Sequence, residues 1–431
     1  MRRIEAGGRL RDVSFRWLIV LSALIGLVGG LLAAGYYHLL QGGLFLVWEV
    51  VAARIGPVWV VTALGGLLVG LSLKYIGIPG EIAAVVDNIH MRRGRIDVRQ
   101  TPSMVVTSLL SISFGGSAGP EAPLVQIIGS LGSWLGDRLR LYGHLVRTLT
   151  FCGMAAALGA FFGAPLGGAL FALEIPHRRG MEYYEALIPA LVAAFLGYEV
   201  FRLLVPMPPV LYPFDVLPEA SLWTVPVGAA LGAVGAALGM LFIGTFHGIG
   251  HVLERFRRHT VLLATAGGAG LGLLATAFPA DLPTSLLFWG EFETRSLLLG
   301  GAEIADRFGP FAIWILLLLA AGKALAIAIT LHSGFRGGFI FPLFFIGAAV
   351  GMALSTASAG LIPTATSTLC LMAALNVAVT RTPVSTTVIL TTLSGTSMVP
   401  VIGAASLVSF LLTTPVTLIR TQRARRHHPR S

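Results

Sequence analysis

The chain is poor in charge. Asp, Glu, Lys and Arg make up 12% of its 431 residues, against about 25% in soluble globular domains. Hydrophobic residues make up 55% of the chain, and its mean hydropathy is +0.83. This composition excludes a soluble globular protein and predicts an integral membrane protein.

Cysteine is almost absent as well. The two cysteines, Cys152 and Cys370, lie in separate apolar stretches, which argues against a disulfide framework and against a cysteine-based metal site. His247 and His251 are spaced i, i+4, but neither an H-E-x-x-H pattern nor a third ligand accompanies them. The sequence therefore predicts no metal and no cofactor.

Acidic residues are scarcer than basic ones, 20 against 30, which gives a net charge of +10. The basic residues cluster beside apolar runs, in the segments Arg2–Arg16, Arg92–Arg99, Arg138–Arg147, His177–Arg179, Arg255–Arg258 and Arg420–Arg430. Such clusters are typical of cytoplasmic loops that face lipid head groups. We therefore expect a cell (inner) membrane protein with both termini in the cytoplasm and the lipid bilayer, not nucleic acid, as its partner.

Apolar runs are abundant. A spanning helix needs roughly 20 apolar residues, and the strongest candidates are Trp17–Leu40, Val58–Leu73, Ala186–Val205, Trp223–Phe246, Val261–Phe278 and Phe311–Leu331. Shorter or broken runs, interrupted by glycine and proline, are Met104–Phe114, Leu124–Leu135, Leu149–Phe162, Leu166–Ile175, Phe339–Leu354 and Val384–Leu393. Interruptions persist in a membrane only where they are buried in protein or line a wet cavity.

The two halves of the chain share a pattern, G-x3-G-x3-P-L-x7-G. Its residues Gly115, Gly119, Pro123, Leu124 and Gly132 recur 219 positions later as Gly334, Gly338, Pro342, Leu343 and Gly351. A second pair, Ala164-Pro165-Leu166 and Thr382-Pro383-Val384, is offset by 218. Glycine-rich helices produce single matches by chance, but two in register predict a duplicated fold and point to a substrate site between the halves.

The predicted organisation follows from this duplication. Residues 1–16 form a cytoplasmic segment, and residues 17–420 form one transmembrane domain with repeats at about 17–205 and 219–420. Residues 421–431 form a short basic tail, and no soluble regulatory domain is predicted. No signal-peptide cleavage site follows the first apolar run, so we expect that run to be retained as a helix. The spacing alone leaves the relative orientation of the repeats open.

Both copies of the motif lead from a glycine-rich turn into an apolar helix. The first N–H groups of a helix lack partners and carry partial positive charge, so they bind anions without a formal cation. Two converging helix starts therefore predict an anion site in mid-membrane. A third candidate start is Gly77-Ile78-Pro79-Gly80-Glu81, for which an ordinary turn before a basic loop is the alternative.

Glu121 stands alone as an acid inside the first motif, directly after Pro120. In a soluble protein it would cap the helix. In a membrane an ionised side chain costs about 2.5 kcal/mol or more, and such residues are functional by default. A carboxylate at an anion-binding helix start can occupy the anion site itself and leave it on protonation, so we predict that Glu121 is a gate and proton carrier.

Three other charges lie in apolar surroundings. Lys323 is expected to pair with a carboxylate or to extend to an interface. Glu174 precedes the basic segment His177–Arg179, which favours a helix-end ion pair over a second proton site. Arg336 lies inside the second motif, where attraction of anions and simple solvation in a loop are equal alternatives.

These motifs resemble those of the CLC family of chloride channels and chloride/proton antiporters. Gly77-Ile78-Pro79 resembles the end of the family's G-S-G-I-P, Gly119–Pro123 (G-P-E-A-P) its G-R-E-G-P, and Gly338–Pro342 (G-F-I-F-P) its G-I-F-A-P. The similarity extends from about Trp17 to Arg420. It includes H-S-G-F-R-G-G-F-I-F-P and G-A-P-L-G-G-A-L-F-A-L-E.

The resemblance implies an all-α membrane protein with a two-fold antiparallel internal repeat and many tilted, partly broken helices. It also implies a homodimer with one pore per subunit, with Glu121 as the external gating glutamate. The anion-binding positions that it implies are Ile76, Gly77, Ile78, Pro79, Gly119, Pro120, Ala122, Pro123, Gly338, Phe339, Ile340 and Thr417.

Three positions depart from the family pattern. Ile76 stands where the family has an anion-coordinating serine, and Thr417 where it has a central tyrosine. Ile175 stands where the antiporters carry an internal proton-transfer glutamate. The first departure leaves anion selectivity open, and the last argues against proton coupling without excluding it.

The leading hypothesis is transport of small monovalent anions, chloride first, with Glu121 as gate and with or without protons. A fluoride/proton antiporter of the same family is the alternative. A membrane-embedded enzyme is a remote third hypothesis, because no nucleophile, paired carboxylate or metal set accompanies Glu121 in the sequence.

Overall fold

The computed structural model describes residues 12–422, except positions 81, 93, 179–180, 207, 209, 215, 222, 280–281, 283, 417 and 420. The predicted N-terminal segment and basic tail therefore lie largely outside the described residues. Within them the chain is helical, and helices alternate with short turns.

The first half contains nine helices among the described residues. They are α1 (Phe15–Phe45), which continues through a π-helical turn (Leu46–Val51) into α2 (Ala52–Ile55), then α3 (Val58–Tyr75), α4 (Ile82–Met91), α5 (Thr101–Ser113), α6 (Glu121–Arg138), α7 (Gly143–Phe162), α8 (Pro165–Glu174) and α9 (Leu187–Leu204). Short 3-10 turns, Val98–Gln100 and Tyr184–Ala186, precede α5 and α9.

The second half also contains nine helices in the part of the chain that the structure describes. They are α10 (Thr224–Glu254), α11 (Thr260–Thr276), α12 (Glu291–Leu299), α13 (Gly301–Phe308), α14 (Ala312–His332), α15 (Ile340–Ala357), α16 (Thr364–Thr380), α17 (Pro383–Ser394) and α18 (Val399–Leu412). A 3-10 turn, Gly309–Phe311, joins α13 to α14.

Corresponding helices of the two halves make the same contacts. Helix α1 packs on α9 as α10 packs on α18, and α6 packs on α7 as α15 packs on α16. Across the halves α3 packs on α11 and α8 on α17, so each helix meets its own counterpart. This is the packing of a two-fold internal repeat, and the two central motifs pair in an antiparallel sense. The predicted all-α fold with an antiparallel duplication is confirmed.

Seven helical segments among the described residues are long and apolar enough to cross a membrane. Five of the six long runs predicted from the sequence correspond to these segments to within one residue or lie inside them, and the sixth corresponds to α11, which has 17 residues. The predicted interruption of Leu149–Phe162 is wrong, because α7 runs unbroken for 20 residues from Gly143. The predicted interruptions of Leu124–Leu135 and Phe339–Leu354 are wrong as well, because α6 and α15 each run unbroken for 18 residues. From Thr148 to Phe162 every residue of α7 is buried, so neighbouring helices and not lipid surround this part of the helix.

Two helices near the C-terminus, α16 and α18, were not predicted. Both helices are apolar but short, with 17 and 14 residues, and α16 also carries threonine, serine and asparagine. These polar groups bond within the protein: Thr380 Oγ1 donates to Asn376 O at 2.8 Å, and Asn376 Nδ2 donates to Thr386 Oγ1 at 2.9 Å. A helix buried by other helices does not need a lipid-compatible surface.

Glycine is required at the repeated positions for two different structural reasons. Gly115 and Gly334 have φ of +90° and +101°, a backbone conformation that strongly favours glycine. Gly132 brings α6 against α7, because a Cβ atom there would lie 2.6 Å from Leu149 C. Gly351 does the same for α15 and α16, with a Cβ atom 2.7 Å from Thr368 N. The pattern thus encodes a turn and a helix contact, twice.

The second repeated motif marks a helix break. Gly163 ends α7 and Arg381 ends α16, both in the left-handed conformation, and Pro165 and Pro383 then begin α8 and α17. Proline suits the first helical position because its missing N–H has no partner there. Arg381 tolerates positive φ because its buried guanidinium is anchored on Thr413 O at 2.8 Å.

Helix packing at Gly132 makes a testable prediction. Gly132→Ala should lower the free energy of unfolding by about 1–3 kcal/mol, the usual cost of forcing atoms into a closely packed contact. Gly244→Ala is the matched control, because a Cβ atom at Gly244 meets nothing within 4 Å. Thermal unfolding in detergent, followed by tryptophan fluorescence, measures both. Equal transition temperatures for the two variants would contradict the packing role.

Candidate functional site

The two glycine motifs meet through a pair of backbone hydrogen bonds. Gly119 N donates to Gly338 O at 2.7 Å, and Gly338 N donates to Gly119 O at 2.6 Å. The two residues are 219 positions apart, the offset of the sequence repeat. The bridge therefore joins equivalent points of the two halves, and each residue stands two positions before a helix start, at Glu121 for α6 and Ile340 for α15.

A second pair of hydrogen bonds reinforces this bridge with the same symmetry. Ser111 Oγ accepts from Arg336 N at 2.8 Å, and Thr330 Oγ1 accepts from Ser117 N at 3.1 Å. Both bonds join a hydroxyl near the end of one half's preceding helix to the loop of the other half. The four residues are buried, so the loops are held by bonds that water does not compete for.

Glu121 lies in the site that this frame creates. Its Oε1 accepts a hydrogen bond from Ile340 N at 2.9 Å, while its Oε2 has no hydrogen-bond partner. The backbone N–H of Phe341 also faces the carboxylate. The side chain of an acid that begins α6 therefore covers the start of α15, and only 2% of it is exposed.

Glycine is required on both sides of this carboxylate. A Cβ atom on Gly119 would lie 2.7 Å from Glu121 Cδ, and one on Gly338 would lie 2.6 Å from Glu121 Cγ. Both distances are shorter than atoms tolerate. The bridge glycines thus leave the space that the Glu121 side chain fills.

The frame is symmetric but its chemistry is not. The position equivalent to Glu121 in the second half is Ile340, which has no charge. One helix start is therefore covered by a carboxylate, and the counterpart start receives an apolar residue. A single carboxylate therefore faces backbone N–H groups at a helix start that otherwise favours an anion.

Two cavities adjoin the site. A vestibule of about 1120 Å³ is lined by residues of both motifs, by the C-terminal part of α10 and by the start of α11. A small apolar cavity of about 20 Å³ lies beside Glu121 and ends at Ile175 and Phe171. Ala122 and Phe339 line both cavities, so they separate the vestibule from the small cavity.

The vestibule carries more basic than acidic groups. Its ionisable lining residues are His247, His251, Glu254, Arg257, Arg258, His332 and Arg336. A concave surface lined by one sign of charge concentrates counter-ions. No sequence pattern placed Arg257 and Arg258 at this cavity, because they precede α11 and lie far along the chain from both motifs.

The first predicted motif lies at the vestibule. Helix α4 begins at Ile82, after a turn in which Gly77 has φ of +119° and Gly77 O accepts a hydrogen bond from Ser103 Oγ. Ile78 and Gly80 line the vestibule. Ile76 is half exposed and Pro79 is buried. The segment therefore forms part of the vestibule wall, and Thr417, its predicted companion, lies outside the described residues.

Glu174 is bound by a helix start. Its Oε1 accepts from Val384 N at 3.1 Å, and its Oε2 accepts from Ser385 N at 2.9 Å and Ser385 Oγ at 2.6 Å. The predicted partner segment does not supply these bonds. A second buried carboxylate thus covers the start of α17, as Glu121 covers the start of α15.

Lys323 and Arg336 are both buried. Lys323 Nζ donates to the carbonyls of Leu286, Leu287 and Phe288 at 3.0–3.1 Å, so it neither reaches an interface nor makes a direct ion pair in the described residues. Glu293 lies near enough to interact with it electrostatically. Arg336 is 8% exposed and lines the vestibule, which rules out a solvated loop.

Residues 65–414 match the protein family described as "Voltage gated chloride channel". A "Chloride/fluoride channel protein" of Pseudomonas syringae pv. tomato is 29% identical over 389 residues, which cover 86% of this chain and 80% of the relative. A "Putative chloride channel protein ClcB-like" of Ralstonia nicotianae is 29% identical over 366 residues, which cover 80% of each chain.

Solved structures share the fold. A slow cyanobacterial Cl-/H+ antiporter superimposes with a TM-score of 0.77 and 21% identity, covering 93% of this chain and 95% of that one. A CLC-type fluoride/proton antiporter superimposes with the same TM-score and 20% identity, covering 96% and 100%. At this identity the likeness concerns the arrangement of helices.

The bridge glycines make a testable prediction. Gly338→Ala should displace the Glu121 carboxylate from the start of α15, because the added methyl group and the side chain cannot share the same space. The freed amides should then bind halide more tightly than in the wild type, measured by isothermal titration in detergent at neutral pH. Gly244→Ala is the control and should leave halide affinity unchanged. Weaker or equal halide binding by Gly338→Ala would oppose the prediction.

Proposed function

We propose, on the premise that the chain belongs to the voltage gated chloride channel family, that it moves small monovalent anions through a pore that Glu121 gates. Members of this family are channels or antiporters, so the chain is a membrane transporter and not an enzyme. The hydrogen bond from Ile340 N to Glu121 Oε1 carries the proposal. The carboxylate occupies a helix start that suits a free anion equally well.

Gating follows from competition for the same amides. While Glu121 is ionised, its carboxylate neutralises the partial positive charge at the start of α15 and excludes an anion. Protonation removes that negative charge and weakens the bond to Ile340 N. An anion then takes the place of the carboxylate, and the neutral side chain moves aside.

The conduction path leads from the vestibule to the helix starts. Arg336, Arg257 and Arg258 attract anions to the vestibule, and the amides beyond Ala122 and Phe339 receive them. Ile76 has no hydroxyl group, so no side-chain hydroxyl at position 76 contributes to anion binding. The site therefore relies on backbone N–H groups and on the desolvation cost of the ion, which are the terms that set selectivity in such pores.

Chloride is the first candidate ion, and fluoride is the second. The printed name of the Pseudomonas relative includes both ions. Replacement of the anion-coordinating serine by Ile76 also separates this chain from the chloride-type pattern. A fluoride/proton antiporter is therefore retained as a competing function, and the flux measurements below distinguish the two.

Proton coupling through the whole protein has little support in the site. Ile175 lines the small cavity beside Glu121, and its carbonyl oxygen accepts a hydrogen bond from Gln422 Nε2 at 2.8 Å, which also donates to Thr380 O at 2.7 Å. A cavity of about 20 Å³ holds about one water molecule. Glu174, which directly precedes Ile175, accepts hydrogen bonds from the start of α17. We infer that anions move without a fixed proton stoichiometry.

The membrane setting completes the proposal. Two copies of the chain form a homodimer with one pore in each subunit. They lie in the cell (inner) membrane with both termini in the cytoplasm, and the vestibule opens to the same side. The basic segment Arg255–Arg258, next to the vestibule, supports this orientation.

The gate is tested by Glu121→Gln in proteoliposomes. Because glutamine cannot ionise, halide flux should no longer change with pH and should equal or exceed the wild-type flux at acidic pH. Glu303→Gln, an exposed acid on α13, serves as the control and should keep the wild-type pH dependence. Absence of halide flux in both the wild type and Glu121→Gln would falsify the transport function.

Selectivity and coupling are tested together by reversal potentials under separate chloride, fluoride and proton gradients. An uncoupled chloride pathway gives a reversal potential that follows the chloride gradient alone. A shift of the reversal potential with the proton gradient would overturn the inference of uncoupled movement. Much greater fluoride than chloride flux, together with such a shift, would establish the fluoride/proton antiporter instead.

A further inference from the structure

Helix α12 begins close to the Glu121 site, on the side away from the vestibule. Helix α11 starts at the vestibule, where Thr260 lines the wall, and its 17 residues extend about 25 Å from it. The segment that follows α11 leads to α12. There Phe288 N donates to Gly115 O at 3.3 Å, and a Cβ atom on Gly290 would lie 3.1 Å from Phe341 O. The start of α12 therefore contacts both halves of the anion site.

The first residue of α12, Glu291, is fully buried and only half satisfied. Its Oε2 accepts a hydrogen bond from Trp289 Nε1 at 2.8 Å, and its Oε1 has no hydrogen-bond partner. A carboxylate oxygen buried without a donor is costly and uncommon. Glu121 Oε2 is in the same situation, so two neighbouring acids each carry one unpartnered oxygen.

The groups around Glu291 do not neutralise it. Glu121 on α6 and Glu293 on its own helix interact with it as like charges. Tyr37 of α1 and Tyr212, in the segment before α10, also interact with it electrostatically. No cation is among these neighbours in the part of the chain that the structure describes.

Glu293 differs from Glu291 although both begin the same helix. Glu293 Oε2 accepts a hydrogen bond from Gly290 N at 3.0 Å, which caps α12. Glu293 also interacts with the buried cation Lys323. The Gly290 N–H and the Lys323 cation thus stabilise the carboxylate of Glu293, which has a structural role. No such role is evident for Glu291.

We propose that Glu291 is a proton-binding residue that exchanges a proton with Glu121 on the side opposite the vestibule. The proposal rests on the proposed function, in which protonation of Glu121 opens the pore. Two carboxylates in a water-poor interior do not both ionise at low cost, so they share protons. In the exchange, the O–H bond at Glu291 Oε1 breaks, one forms at Glu121 Oε2, and the negative charge moves to Glu291.

A purely structural role for Glu291 makes a different prediction. If the carboxylate only held the Trp289 indole, glutamine would replace it without loss, because the amide oxygen accepts the same hydrogen bond. Glu291→Gln keeps the shape and the bond to Trp289 Nε1 but cannot bind and release a proton. A change in pH dependence therefore reports proton exchange and not packing.

Halide flux from proteoliposomes, recorded over a series of pH values on the side opposite the vestibule, provides the functional test. Glu291→Gln should reach half-maximal flux at a proton concentration about tenfold higher than the wild type, because Glu121 loses a negative neighbour and a proton donor. Glu291→Asp should restore part of the response. Glu303→Gln should match the wild type, and in a Glu121→Gln background Glu291→Gln should have no further effect.

An identical flux profile for Glu291→Gln and the wild type would overturn the proposal. So would an equal effect of Glu291→Gln with and without Glu121, because the residue would then act elsewhere.

Infrared difference spectra in detergent separate this proposal from the transport function. A pH step should produce a carboxylic acid C=O band that is missing in Glu291→Gln. Wild-type protein that transports no halide but shows this band contradicts the proposed function alone. Wild-type protein that transports halide and lacks the band contradicts the proton-binding role of Glu291.

Discussion

The paired hydrogen bonds between Gly119 and Gly338 are the constraint on which the site depends. They hold two helix starts together at the centre of the molecule, and they do so at equivalent points of the two halves. Neither residue tolerates a side chain, because Glu121 fills the space beside both. The buried hydroxyls of Ser111 and Thr330 fix the same loops from outside the bridge. These hydrogen bonds therefore determine where the backbone N–H groups at the start of α15 lie and which groups can reach them.

Function, as proposed, arises where the symmetry of the fold is broken by side chains. Each half offers a helix start, but only one acid, Glu121, stands in the bridge. The two sides of the site differ as well, since Arg257, Arg258 and Arg336 lie at the vestibule while Glu291 lies on the opposite side. Duplication supplies oriented amides in pairs. As proposed, the arginines then attract anions at the vestibule, and Glu291 binds protons on the opposite side.

Much of the fold followed from local features of the sequence. Long apolar runs predicted α1, α3, α9, α10, α11 and α14 near their observed bounds, because lipid demands a continuous apolar surface over roughly 20 residues. The same logic missed α16, which other helices bury, and α18, which has only 14 residues, and it wrongly divided α6, α7 and α15. Hydropathy reports what faces lipid. It is silent about helices that other helices surround.

The sequence by itself determined that the chain is a duplicated membrane protein and that Glu121 occupies an apolar, glycine-rich turn. It did so because composition and repeat spacing are properties of the residue order alone and require no knowledge of which residues are in contact. Only the tertiary structure decided which amide Glu121 binds, that Ile78 lines the vestibule, that Lys323 binds backbone carbonyls, and that Glu291 neighbours the site. Each of these contacts joins residues far apart in sequence. Helix packing sets them, and no local pattern records the outcome.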